Sequence, residues 1–295
     1  MLQTTNSKVI WVEIKFCKCP LRKIKHIVSE VKSAMRRIEF TGGSAIGKST
    51  VLKAAAEMRK PGDKWLTAQE ARIIAAKSMQ AKSSFHRLIQ IWLKLNIVKK
   101  GQDNLASKIL RGFHKDITYH LQDKYSDLAV LFLNQLLARE DLNPIAKLRR
   151  ADYYYDLLLN KVMLFEYLQF EELIVYDEGI VHSTASFRSE DQSGQFIEKH
   201  LHNETGMLPT AIVYCYLDEE KYIQRVQERA KIGKDIFSAN NLSSHELQAI
   251  CHSSLLFEAD MLTVMKNHNI PVLEINMADP VKENAELVYH FIKKL

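Results

Sequence analysis

Thr41-Gly42-Gly43-Ser44-Ala45-Ile46-Gly47-Lys48-Ser49-Thr50, entered from Ile38-Glu39-Phe40, decides how this chain is read. Ile38 to Thr41 reads as a short apolar strand. Ser49 to about Arg59 has helical spacing and is stopped by Pro61 and Gly62. Between them lies G-x-x-x-x-G-K-[ST], in the strand-to-helix context that this spacing requires. The glycines let successive backbone N–H groups turn toward one point, and the helix N-terminus adds its positive dipole there. Such a loop wraps polyphosphate. Lys48 would reach the β- and γ-phosphates, and the Ser49 hydroxyl would ligand Mg²⁺. The candidate nucleotide-binding residues are therefore Gly42, Gly43, Ser44, Ala45, Ile46, Gly47, Lys48, Ser49 and Thr50, with ATP and Mg²⁺ as the expected cofactors. Three of the chain's ten glycines fall between Gly42 and Gly47. A glycine turn that merely caps a helix needs neither the lysine nor the hydroxyl.

Working outward, strand signals recur at Leu173–Tyr176, Ala211–Leu217 and Pro271–Ile275, each a short apolar run with β-branched or aromatic residues. Trp65 to Glu70 holds either a second strand or a helix start. Helical spacing covers roughly Gln192–His202, Glu219–Ala230, His245–Asn267 and Lys282–Lys293, and almost everything from Glu70 to Tyr167. Strands alternating with helices predict an α/β fold, a parallel sheet of about five strands with helices on both faces. The expected organisation is a basic extension over 1–35 and a main domain over 36–295. The main domain carries a large all-helical insertion at about 65–168. In the extension, Lys8 to Phe16 is strand-like and Leu21, Ile24, Ile27, Val28 and Val31 follow at helical spacing. Met35, just before the first strand, is an alternative initiator.

Ligands of parallel sheets bind beyond the carboxyl ends of the strands. Leu173-Ile174-Val175-Tyr176-Asp177-Glu178-Gly179 is a strand ending in two carboxylates. Asp177 could hold Mg²⁺ through water or accept a proton from an attacking hydroxyl, so Ser49 and Asp177 are the candidate metal ligands. Glu178 stands where some ATPases place the acid that activates water. Arg225 and Arg229, four apart on one helix face and followed by Lys231 and Lys234, suit a cationic lid over a transferring phosphoryl group. The candidate catalytic residues are thus Lys48, Asp177, Glu178, Arg225 and Arg229. In the helical block Arg149, Arg150, Asp152, the run Tyr153-Tyr154-Tyr155, Glu70 and Arg72 stand out for an acceptor site. His200 and His202 have no carboxylate at matched spacing and read as surface or packing residues.

The order of these features resembles the P-loop small-molecule kinases, especially the thymidylate-kinase-like and nucleoside-kinase-like group. That order is phosphate loop, helical insertion, strand ending in aspartate, V-x-x-x-L-D strand followed by R-x-x-x-R, and late P-V-L-x-I strand before a terminal helix. It covers about residues 36 to 295. The resemblance implies a P-loop NTPase fold and places the loop Asn276 to Val281 beside the adenine. The group's strand-end motif is typically D-R, an aromatic, then a serine. Here it reads Asp177-Glu178-Gly179-Ile180-Val181-His182-Ser183, keeping the aspartate and serine but not the arginine.

Composition narrows the classes further. With 295 residues, 46% hydrophobic and 26% charged, six Pro and ten Gly, the chain is neither collagenous nor disordered. No apolar run reaches the ~18 residues of a membrane span, and Glu13 and Lys15 interrupt any signal-like core, so a cytoplasmic protein is expected. Cys17, Cys19, Cys215 and Cys251 are too few and scattered for a disulfide framework. Of the net charge of +6, residues 1–35 carry +5, leaving +1 on the other 260 residues. Nucleic acid is therefore an unlikely partner for the main domain. The leading expectation is ATP-dependent phosphoryl transfer to a hydroxyl or phosphate of a small molecule, such as a nucleoside, nucleotide or sugar. The alternative is a P-loop ATPase coupling hydrolysis to a conformational switch, with Glu178 positioning water. The expected partner is the small-molecule acceptor, and the helical insertion is the candidate face for a homodimer.

Overall fold

A computed structural model describes residues 35–79, 83–94, 101–140, 142–184, 208–232 and 243–295. Residues 1–34 of the expected extension 1–35, the helix expected at Gln192–His202, His200, His202, Cys17, Cys19 and Lys234 lie outside the described residues. Five strands are seen: β1 Arg37–Thr41, β2 Trp65–Thr67, β3 Leu173–Tyr176, β4 Ala211–Tyr216 and β5 Val272–Asn276. All neighbours pair in parallel, in the order β2-β3-β1-β4-β5. The register sets Ile38 beside Val175 on one side and Ala211 on the other, so β1 runs through the middle of the sheet.

Because a parallel sheet is covered on both faces, its strands are near-continuously buried. One face carries Ile38, Phe40, Val175 and Val213. It packs against α1 (Lys48–Glu57), α9 (Glu219–Lys231) and α11 (Val281–Lys294). The opposite face carries Ile174, Tyr176 and Ile212. It meets the helices between β2 and β3 and the C-terminal half of α10 (Ser244–Asn267). The helices between β2 and β3 are α2 Ala68–Ser78, α3 Ser84–Lys94, α4 Gln102–Arg111, α5 His114–Ala138, α6 Pro144–Leu157 and α7 Leu164–Tyr167.

Several helix starts follow from local chemistry. The Thr67 hydroxyl accepts from the Glu70 N–H while Glu70 reaches back, a reciprocal cap that fixes the first turn of α2. Ser243 and Glu246 do the same for α10. Asn143 caps α6, with Pro144 in its first turn. The segment expected from 65 as helix or strand resolves into both: Trp65 and Leu66 pair with Leu173 and Ile174, and α2 starts at Ala68. The helical stretch thus begins after Thr67, because the sheet register claims the three residues before it.

Periodicity alone did not foresee the π-helical turn Leu158–Met163 that joins α6 to α7. Its backbone shift gives the Lys161 carbonyl a second task, accepting the Tyr176 hydroxyl at 3.4 Å. Asn160 is pinned there, donating to Asp156 at 2.6 Å and facing His114 Nε2 at 2.6 Å. Among the described residues no helix is long and apolar enough to cross a membrane.

Candidate functional site

The glycine loop leaves the carboxyl end of β1 and turns into α1 through left-handed backbone at Gly42 (φ 127°), Ala45 (φ 74°) and Gly47 (φ 105°). Two glycines are forced by space as well. A Cβ at Gly42 would lie 2.1 Å from the Cys215 carbonyl oxygen, and one at Gly43 would lie 2.5 Å from Tyr222 Cζ. The loop is therefore seated directly on β4 and α9. The N–H groups of Ser44, Ala45, Ile46 and Gly47 take no hydrogen-bond partner among the described residues. They form a concave row of donors at the N-terminus of α1.

Lys48 is buried and folds across this row, donating to the Gly42 carbonyl at 2.9 Å and the Gly43 carbonyl at 3.0 Å. Its Nζ also lies 3.9 Å from Glu178 Oε1. The Ser49 hydroxyl donates to Asp177 Oδ2 at 3.2 Å, because β3 lies next to β1 and ends at the same level. Thus Lys48, Ser49, Asp177 and Glu178 come together at the ends of β1 and β3. Thr50 is exposed in the first turn of α1.

Beyond Asp177 and Glu178 the chain reverses at Gly179 and enters a short helix, α8 (Ile180–Thr184). His182 Nε2 lies 3.5 Å from Glu178 Oε1. Burial, and then the Lys48 charge, hold this imidazole well below its ordinary pKa, so it stays neutral at pH 7. Tyr153 of α6 places its hydroxyl 3.5 Å from Glu178 Oε2 and 3.2 Å from the Ser183 hydroxyl. Its burial, and then the Glu178 charge, raise its pKa far above the ordinary phenol value, keeping it a donor. Of the three tyrosines only Tyr153 reaches the site. Tyr154 stacks on Phe132 in the core at 4.7 Å, and exposed Tyr155 bonds His114.

The arginine pair of α9 divides. Arg225 donates to the Ile46 carbonyl at 2.6 Å and the Met277 carbonyl at 2.8 Å, bridging the glycine loop to the turn after β5. Arg229 and Lys231 are exposed. The guanidinium expected over a transferring group is therefore a clasp on the backbone that shapes the loop. In the helical block Arg72 is committed to Asp103 and Ser107 of α4, while Arg149 and Asp152 are exposed and Arg150 is half-buried.

Compared with known proteins, the chain matches no family model, and no curated protein is significantly similar to it. What the site can do chemically is read from its own groups.

A cavity of about 420 Å³ opens beside Ser49 and Asp177, between α1, the end of β2 and the start of α2. Lys53, Glu57, Arg59, Gln69 and Glu70 are among its lining residues. Arg59 is locked in place: it pairs with Glu70, donates to the carbonyls of Ala56 and Trp65, and lies 4.8 Å over the Trp65 ring. Arg59 and the Thr67 N–H and hydroxyl hold the Glu70 carboxyl below its usual range, against the opposing effect of burial.

Sequence reasoning missed Arg37 and Glu39. Their side chains point from β1 to the face covered by α8, and both are about 1% exposed. Arg37 Nε donates to Glu39 Oε1 at 2.8 Å, and Glu39 Oε2 accepts the Val181 N–H at 2.8 Å. The alternation Arg37-Ile38-Glu39-Phe40 was the available signal, but it reads equally well as a strand with one wet face.

Proposed function

We propose that this chain is an ATP-dependent phosphotransferase with a P-loop NTPase fold, passing a phosphoryl group to a hydroxyl or phosphate of a small molecule. The observation that carries the reading is the cavity beside Ser49 and Asp177. A nucleotide held by the glycine loop would point its terminal phosphate toward this space, which has the volume of a small-molecule site. A hydrolase that only positions water has no use for it.

The donor set fits the implied groups. Unpaired amides and a lysine suit phosphate oxygens, and the Ser49 and Asp177 oxygens suit a hard cation. Among the described residues no three His, Cys, Asp or Glu side chains gather as a metal cage. Mg²⁺, when bound, would thus share Ser49 and Asp177 with the nucleotide's own oxygens and neutralise charge on the phosphates. Lys48 would exchange two neutral carbonyl partners for anionic ones, a stronger class of hydrogen bond. Asp177, at the cavity's edge, would orient or deprotonate the acceptor. Arg225 would hold the loop through Ile46, and Arg229 is left as the exposed cation of the pair. The helices between β2 and β3 are then an insertion whose first member, α2, forms one wall of the acceptor site.

The test uses Asp177→Asn and Glu178→Gln, with ADP release measured against ATP, Mg²⁺ and a panel of nucleosides, nucleotides, sugars and lipid-linked sugars. ADP release should depend on an acceptor. Asp177→Asn should cut it at least about a hundredfold, and Glu178→Gln only modestly. Acceptor-independent hydrolysis that disappears in Glu178→Gln would replace this reading with the ATPase one.

A further inference from the structure

We propose that Glu39 is a positioning residue for the Asp177–Glu178 pair, holding from beneath the chain reversal that presents both carboxylates. The inference rests on the reading of Asp177 as the metal-organising group.

Glu39 lies in the central strand, in register with Tyr176, the last residue of β3. The chain leaving β3 passes Asp177 and Glu178 and folds back over β1 at Gly179. There the fit is so close that a Cβ at Gly179 would sit 2.1 Å from Glu39 Cδ. One residue beyond Ile180, the Val181 N–H donates to Glu39 Oε2 at 2.8 Å. The carboxylate is thus both the floor under the reversal and the acceptor that ties it down. The other oxygen is fixed by Arg37 Nε at 2.8 Å, so the carboxylate has little freedom to follow a shifting loop. On the solvent side, Asp177 is tied among the described residues only to Ser49, at 3.2 Å. Glu178 has its nearest partners at 3.5 Å or more. The short, buried contacts that set where these two side chains emerge therefore lie underneath, at Glu39. A buried carboxylate is costly unless its hydrogen bonds are met, so the sequence would keep one here only where its contacts matter.

The proposal separates from a merely stabilising role through three variants. Glu39→Gln keeps an acceptor for the Val181 N–H but sets an amide against Arg37. Glu39→Ala removes both contacts. Gly179→Ala pushes the reversal off an intact Glu39. Each is measured for melting temperature, for amide hydrogen exchange over residues 177–184, for the Mg²⁺ concentration that half-saturates binding of a fluorescent N-methylanthraniloyl-ATP, and for ADP release from ATP and Mg²⁺ with the same acceptor panel.

Glu39→Gln should melt earlier yet keep its Mg²⁺ midpoint and ADP release within about threefold. Glu39→Ala and Gly179→Ala should speed exchange at Val181 and raise the Mg²⁺ midpoint about tenfold. They should lower ADP release by roughly ten- to a hundredfold, with affinity for the nucleotide in the absence of Mg²⁺ unchanged. If Glu39→Ala does not fold, Gly179→Ala and Glu39→Gln carry the decision. Variants that lower the melting temperature but leave the Mg²⁺ midpoint and ADP release alone would overturn the positioning role and spare the reading of Asp177. A wild-type protein whose nucleotide binding ignores Mg²⁺ would overturn both.

Discussion

Arg225→Ala separates the anchoring geometry from the role its spacing suggested. The guanidinium is half-buried and donates to two carbonyls on different segments, Ile46 at 2.6 Å and Met277 at 2.8 Å. Hydrogen bonds from a charged donor each contribute roughly 1.5–3 kcal/mol, and water recovers part of that at a half-exposed site. The expected net loss is about 2 kcal/mol. For a chain of this size that lowers the melting temperature by about 3 °C. The Ile46 carbonyl belongs to the turn that aims the loop amides, so ATP affinity should fall about tenfold as well. Arg225→Lys should restore little, because one ammonium cannot span two divergent carbonyls as a planar fork does. Arg229→Ala, at an exposed position, should stay within about 0.5 kcal/mol of wild type in stability. Scanning calorimetry and ATP titration of the three variants supply the comparison. An Arg225→Ala protein with unchanged melting and unchanged ATP affinity, but collapsed turnover, would refute the anchor and return Arg225 to the transferring group.

Gly43→Ala should destabilise by about 1–3 kcal/mol and weaken ATP binding together, because the new methyl meets the fully buried Tyr222 ring at 2.5 Å. Both losses are read in the same calorimetric and titration experiments, and a variant that keeps wild-type ATP affinity would contradict the seating of the loop. His182 gives a pH signature: folding depresses its pKa, so below about 6.5 the unfolded chain binds a proton that the folded one refuses. Its share of stability is therefore complete above that pH and falls by up to ~1.4 kcal/mol per unit as pH drops from 6.5 toward 5. Melting temperatures from pH 5 to 8 should show this slope in wild type and a flatter one in His182→Asn.

How far the sequence could be read depended on how local each signal was. β3 appears at its expected bounds, Leu173–Tyr176, and β1 begins one residue earlier than expected, because apolar strands with glycine or acid at their ends carry their limits in adjacent residues. The meeting of Ser49 with Asp177 followed from two strand-end motifs and the rule that parallel strands present their carboxyl ends together. Three things were not legible, and each is set by tertiary packing. Arg225 was chosen for helical spacing, but its direction is fixed by carbonyls of the Ile46 and Met277 turns, one of them 179 positions away in sequence. Glu39 resembled a solvated strand residue until α8 covered it. Tyr153, Tyr154 and Tyr155 were indistinguishable in the string, since the rotation of α6 alone decides which faces Glu178 and which faces Phe132.

That rotation bears on what Glu178 does. A carboxylate that activates water needs one oxygen free and directed at the water's position. Here Oε1 faces Lys48 at 3.9 Å and His182 at 3.5 Å, while Oε2 faces the Tyr153 hydroxyl at 3.5 Å. Two of these neighbours are neutral, since His182 is held unprotonated and Tyr153 holds its proton. Lys48 is therefore the charged group nearest to Glu178 among these three, and the attraction keeps the ammonium toward the strand end even though carbonyls take its hydrogen bonds. Such a carboxylate suits the setting of Lys48 better than the activation of water. On the proposed phosphotransferase reading, Glu178→Gln should loosen Lys48 and cost a few-fold in turnover, whereas Asp177→Asn should take away the carboxylate charge that accepts from Ser49 and would hold the cation.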